Sequence, residues 1–158
     1  MQDTDFTGKR ILVVGGSSGI GNGMAQAFRA RGGEVHVWGT RAKSEDYKKE
    51  DGSDMTGLHY HQMDVSDFAA IEAHDPGFDA LDVLVLCQGT VIYGRGEFEM
   101  EGFQKVMDVN LNSLMACAMK FHPMLAASKG ALITVSSTAA FHSTRGNPAY
   151  NASKTGAV

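Results

Sequence analysis

Cysteine is scarce in this chain, with only Cys87 and Cys117 among 158 residues. Both stand in apolar surroundings, which suits small buried side chains in a reduced, cytoplasmic setting and sets the chain apart from disulfide-stapled secreted domains. Basic clusters are missing too. No positive run is longer than Lys48-Lys49, and 14 Lys+Arg against 18 Asp+Glu give a net charge of -4, which argues against a nucleic-acid partner. No apolar run approaches the roughly 20 residues that span a bilayer, so no membrane partner is expected. The opening MQDTDFTGKR lacks the basic-then-apolar layout of a signal peptide. No internal repeat, low-complexity tract or domain linker interrupts the sequence. His59 and His61 alternate and share a face, yet spacing offers them no Asp, Glu or Cys as a third ligand, so no metal is expected.

What is present is the make-up of a soluble globular protein, 43% apolar and 20% charged, with the length for one domain over residues 1–158. Apolar runs recur at 11–15, 34–39, 58–63, 81–87 and 131–136, and helix-like segments separate most of them. That alternation predicts a mainly parallel sheet with helices on both faces, an α/β fold. The first and fourth runs are apolar throughout, as central strands are. Helices are expected at 19–31, with Ile20, Met24, Ala27 and Phe28 on one face; at 66–74, capped by Ser66; and at 101–127. The polar stretch after the second strand reads as a loop or a short helix. Met100, Met107, Met115, Met119 and Met124 along the long helix read as core or interface packing.

The first strand runs straight into GGSSGIG, residues 15–21, and then into a helix. Gly15, Gly19 and Gly21 allow a tight turn, close approach of backbone to phosphate and close helix packing, while free N–H groups at the helix start attract an anion. The second strand ends in Gly39-Thr40-Arg41, where an NAD site would place an acid for the ribose. With no carboxylate there and Arg41 nearby, NADP(H) is favoured over NAD(H). In NPAYNASKTGAV, Tyr150 and Lys154 are four apart at the opening of a helix and share a face.

These segments, with MDV (63–65), DVNL (108–111), VSS (135–137) and YNASK (150–154), stand in the order and approximate spacing of the short-chain dehydrogenase/reductase family, which the chain resembles over nearly its whole length. The resemblance implies a Rossmann-type doubly wound sheet of five strands in the order 3-2-1-4-5, a nicotinamide cofactor, and interconversion of a small alcohol and carbonyl by hydride transfer. It makes Asn110, Ser137, Tyr150 and Lys154 the catalytic set. Ser137 is preferred to Ser136 because it lies at the family's usual interval before Tyr150. The cofactor side would comprise Gly15, Ser17, Ser18, Gly19, Ile20, Gly21, Thr40, Arg41, Asp64, Val65, Gln88 and Gly89, together with Asn110, Tyr150 and Lys154. Asp64 matches the adenine-contacting acid. Hydride transfer to a carbonyl needs a proton donor for the developing alkoxide; Tyr150, beside the Lys154 ammonium, fills that role, and Ser137 would hold the substrate oxygen. By the same resemblance Lys154 binds the nicotinamide ribose, Asn110 holds a water in the proton relay, and copies pair through the fourth and fifth helices, about 101–127 and 148 onward.

The chain departs from the family at two places. Val14 replaces a threonine and Leu86-Cys87-Gln88-Gly89 replaces Asn-Asn-Ala-Gly, a double change expected to substitute one inter-strand contact for another without an orphaned group. Family members run to about 250 residues, so the family's last strands and substrate lid are expected to be absent, leaving strand five as a sheet edge. Tyr93, Phe141 and His142 are the candidate pocket walls. A second function then stands beside the enzyme, a non-catalytic nucleotide-binding or interaction protein without the substrate half. A methyltransferase of similar fold would want an acid at the end of strand two, which Gly39-Thr40 does not offer.

Overall fold

A computed structural model describes residues 4–158. The apolar runs form five strands, β1 Arg10–Val14, β2 Glu34–Gly39, β3 His59–Gln62, β4 Val83–Leu86 and β5 Ala131–Thr134. All four pairings are parallel, and the order across the sheet is β3-β2-β1-β4-β5. The helices are α1 Gly19–Arg29, α2 Phe68–Ala73, α3 Met100–Met107, α4 Ser113–Ser128 and α5 Pro148–Gly156.

Side chains alternate across a strand, so the sheet carries two cores. Leu12, Val14, Trp38, Leu84 and Leu86 face one way, where Ile71 of α2 and Leu114, Cys117, Phe121 and Leu125 of α4 cover them. Ile11, Val13, Val35, Val37, Val83 and Val85 face the other way, under Met24, Ala25 and Phe28 of α1. The central strands β1 and β4 are buried on both faces, as their unbroken apolar sequence requires. Each fully buried Leu, Val or Phe contributes about 1.5–3 kcal/mol relative to exposure.

Several local expectations change. On α1 the buried residues are Gly21, Asn22 and Ala25, while Ala27 and Ile20 are exposed; the first turn stands over a cavity instead of the sheet. Ser66 does not cap α2. Its hydroxyl donates to Asp64 Oδ1 at 2.7 Å, and Asp67 is the cap, accepting from Ala70 N at 2.9 Å. The polar stretch after β2 forms two short 3-10 turns, at Ser44–Asp46 and Lys49–Asp51. The single helix expected at 101–127 is α3 and α4 joined by a π-helical turn, Asp108–Asn112. Met100, Met115 and Met119 are exposed, and Met124 packs on the first core.

His59 and His61 do share a face, but β2 lies alongside: His36 pairs with His59 and Trp38 with His61. That register brings Glu34 and His36 beside His59, ligand-bearing groups that spacing within the third strand does not reveal. The group that could hold an ion is thus built on His59 with two residues of β2 and does not include His61.

Candidate functional site

The loop between β1 and α1 is shaped by steric limits on its glycines. Gly15 has φ +77°, and a Cβ there would stand 2.8 Å from Gln88 N. A Cβ on Gly21 would meet Gly15 O at 2.2 Å, so helix and turn touch through backbone alone. No side chain caps α1 at Ser18, and the first backbone bond of the helix runs from Asn22 N to Ser18 O. The preceding N–H groups are thus available to an anion. Beside this loop lies a cavity of about 460 Å³ whose walls include Gly15, Ser17, Ser18, Ile20 and Gly21, Thr40 at the end of β2, Asp64 and Val65 after β3, and Gln88 and Gly89 after β4. Loops following the carboxyl ends of parallel strands converge there, as the topology dictates.

Gly19 and Arg41 are not in those walls. The Arg41 guanidinium stacks over Tyr47 at 4.6 Å and donates to Asp46 O, while its backbone N–H donates to Tyr47 Oη at 3.1 Å. Asp64 accepts from Ser66 N and Oγ, which hold its carboxyl below the usual range. Gln88 Nε2 donates to Ser113 Oγ at 2.9 Å, but its buried Oε1 has no partner among the described residues. The orphan lies beyond the strand contact itself: Cys87 N still donates to Val14 O at 3.0 Å, and the unpaired acceptor belongs to Gln88, which stands where the family has alanine. An unpaired buried acceptor, the backbone cradle and the open helix terminus together suit a phosphate-linked, amide-bearing ligand such as a nicotinamide nucleotide.

A second cavity, about 260 Å³, shares Ile20, Cys87, Gly89 and Thr90 with the first and is completed by Val91, Val135, Ser136, Tyr150 and Lys154. Lys154 Nζ donates to Val135 O at 3.0 Å and lies 5.8 Å from the Tyr150 ring centre. Burial pushes the Lys154 ammonium below its ordinary range, and burial likewise pushes the Cys87 thiol up. Asn110, fully buried in the π-helical turn, accepts from Thr90 N at 2.7 Å and donates to Thr90 O and to Ser153 Oγ. It ties the helical turn to α5 and to the loop after β4. Ser137 lies outside the cavity walls; its Oγ accepts from Ala139 N at 3.1 Å to cap a 3-10 turn. Ser136, which does line the cavity, donates to Lys154 O at 2.8 Å. Tyr93, Phe141 and His142 are exposed and belong to neither cavity. They extend from loops into solvent.

A profile of the short chain dehydrogenase family matches residues 9–158. The chain belongs to that family.

Among curated relatives, the 2-dehydro-3-deoxy-L-rhamnonate dehydrogenase (NAD(+)) of Sphingomonas sp. strain SKA58 is 32% identical over 97% of this chain and 63% of its own length. The 3-oxoacyl-acyl-carrier-protein reductase FabG of Chlamydia muridarum is 30% identical over 95% of this chain and 64% of its own length. The chain thus spans just under two thirds of the length of these relatives. Among solved structures, the Pseudomonas aeruginosa RhlG/NADP active-site complex superposes with a TM-score of 0.81 at 27% identity, covering 99% of this chain and 66% of that one.

Within this member of the family the helix bearing Tyr150 has a support that motif spacing misses. Glu97, almost wholly buried, accepts from Tyr150 N at 2.9 Å, from Ile92 N at 3.1 Å and from Asn147 Nδ2 at 3.2 Å. A carboxylate at the first turn of α5 satisfies an orphan N–H and opposes the positive end of the helix dipole. The only sequence signal was an acid inside the glycine-bearing loop after β4, where a solvated side chain is the ordinary reading.

Proposed function

We propose that this protein is an NAD(P)-dependent oxidoreductase that interconverts an alcohol and a carbonyl of a small molecule. The observation that carries the reading is the adjacency of the two cavities: the glycine-loop cavity and the one holding Tyr150 and Lys154 have four wall residues in common. When bound, the nicotinamide supplies or accepts a hydride at the substrate carbon. The N–H groups opening α1 would hold its phosphates, Asp64 and Val65 its adenine end, and Gln88 and Gly89 the portion nearer Tyr150. Tyr150 gives its phenolic proton to the substrate oxygen in reduction and takes it back in oxidation. Lys154 brings a positive charge and a ribose donor to the same pocket. Ser137 lies outside the cavity walls and accepts from Ala139 N, and its uncommitted O–H would have to turn toward the cavity to orient the substrate oxygen. Asn110 acts through position, since its amide is committed to Thr90 and Ser153.

NADP(H) is the favoured cofactor because the end of β2 carries no carboxylate to repel a 2'-phosphate. A Cβ at Gly39 would meet Ser17 Oγ at 2.6 Å and Tyr47 Oη at 2.5 Å. Hydroxyls rather than an acid surround that strand end, and Arg41 follows two residues on, its guanidinium held by Tyr47 and Asp46 O. The exposed Met115 and Met119, one helical turn apart on α4, suit pairing of two copies through α4 and α5.

The test is turnover of NADPH and NADH against a panel of ketones, and of the oxidised forms against alcohols. Tyr150→Phe is expected to lower kcat about 10²- to 10⁴-fold with cofactor affinity retained. Unchanged kcat in that variant would remove Tyr150 from the proton path.

A further inference from the structure

In a parallel sheet the strand openings lie at the end opposite the glycine loop. There β2 begins with Glu34 and continues to His36, and β3 begins with His59. We infer that Glu34, His36 and His59 form a binding site for a divalent transition metal of the zinc type, which clamps β3 to β2. Each residue offers one ligand atom, and the three atoms lie within 4.8 Å of one another. A tetrahedral site with bonds of about 2.1 Å sets its ligands roughly 3.4 Å apart, so the trio must close inward. His59 is exposed on an edge strand with its ring stacked at 4.7 Å on that of His36, so closure of the trio requires this exposed side chain to change rotamer.

The outer contacts of such a site are already in place. His36 Nε2 lies 3.1 Å from Glu34 Oε1, and His36 Nδ1 lies 3.0 Å from His61 Nε2. A carboxylate only accepts, so neutral His36 bonded to it carries its proton on Nε2 and accepts from His61 Nε2–H. If both rings exchange tautomers, with no net change in protons, His36 Nε2 presents a lone pair to the metal and Nδ1–H donates to His61. That is the usual second bond of a metal-bound imidazole. Arg10 fixes Glu34, with Nε at 3.0 Å from Oε1 and Nη2 at 3.0 Å from Oε2. Metal on Oε1 displaces the first of these bonds and keeps the second, while Arg10 Nη1 still reaches Ala80 O. Two imidazoles and one carboxylate favour zinc over magnesium or calcium. An open cavity of about 620 Å³ walled by His36, His59 and His61 gives the ion and its solvent ligand access.

The experiment is calorimetric titration of the purified chain with zinc chloride, paired with the visible absorption of added cobalt(II), which reports tetrahedral nitrogen and oxygen ligands. One zinc per chain is expected, with a melting temperature that rises with zinc concentration. His59→Ala changes an exposed side chain and leaves the fold intact by circular dichroism, yet it should weaken binding about tenfold or more and erase the cobalt band. Glu34→Gln should do the same. His61→Phe should weaken binding about tenfold through the outer contact, and His122→Ala, an exposed residue of α4 outside the ligand group, should leave it unchanged. Zinc binding as tight in His59→Ala as in the parent, or no zinc binding by the parent, would overturn the site. Nicotinamide nucleotide binding is the separate readout of the proposed enzyme and should be indifferent to His59→Ala.

Discussion

Lys154 shows how a single side chain can weaken a fold that it equips. It is buried, its one described hydrogen bond is to Val135 O, and no described carboxylate pairs with it. Its folded-state pKa is depressed below the ordinary 10.5. The unfolded chain therefore binds this proton more readily, and the contribution of this group to stability rises with pH through the window just below 10.5. Lys154→Met is expected to stabilise the chain by on the order of 1 kcal/mol in urea at neutral pH, to flatten that pH dependence, and to abolish the proposed turnover. Glu97 has the opposite balance, because each oxygen is used. Glu97→Gln replaces one acceptor with a donor facing N–H groups and should cost about 1–3 kcal/mol by chemical denaturation. At this scale the sequence was uneven as a guide. Tyr150, Lys154, Asn110 and Gly89 could be placed because motif order ties them to one sheet end. Glu97 could not, because its three donors come from positions 92, 147 and 150, and only tertiary packing unites them.

Elements were legible where hydrophobic period and burial agree. The apolar runs of β1 and β4 gave central strands, and their neighbours followed from alternation with helices. Boundaries failed where a side chain outside the periodic pattern decides them: Asp67 rather than Ser66 starts α2, and the π-helical turn at Asp108–Asn112 splits what periodicity joins. Side-chain hydrogen bonds around Asp108, Asn110 and Ser113 accompany that turn. The junction of β1 and β4 has a similar polar fixture. Asp82 accepts from Arg10 N at 2.9 Å and from Lys9 Nζ at 2.9 Å, and the bond from Arg10 N is the main cause of its depressed pKa. Its contribution is present above the unfolded value of 3.8 and is lost as pH falls through the lower folded value. Asp82→Asn should lower the urea midpoint at pH 7, and the difference from the parent should shrink on acidification below about pH 4. An unchanged difference at acid pH would exclude the carboxylate as its source.

The described residues together present a sheet with unequal borders. On the β5 side all four residues are exposed, with Leu132 and Ile133 each more than two-fifths accessible. An uncovered apolar edge is a template for another strand. Ile133→Lys is expected to leave the melting temperature within a few degrees and to reduce concentration-dependent association in sedimentation velocity. Association unaffected by the lysine would place the contact elsewhere, as on Met115 and Met119. Strand order could be anticipated from family resemblance, but this imbalance of exposure needed coordinates, since ALIT reads as well for a buried strand as for an open one.

The all-parallel pairing also governs how the chain reaches this state. No strand can meet its neighbour through a tight hairpin: residue 11 must find residue 35 on one side and residue 83 on the other. Loop closure therefore precedes most of the reward, and folding should be slow for the chain's size. The β1–β2 and β2–β3 units close similarly short loops and are suited to nucleate, whereas the β1–β4 seam forms across the longest gap. Changes at residues 35–38 of β2 should then slow refolding, while weakening the Asp82 fixture should mainly hasten unfolding.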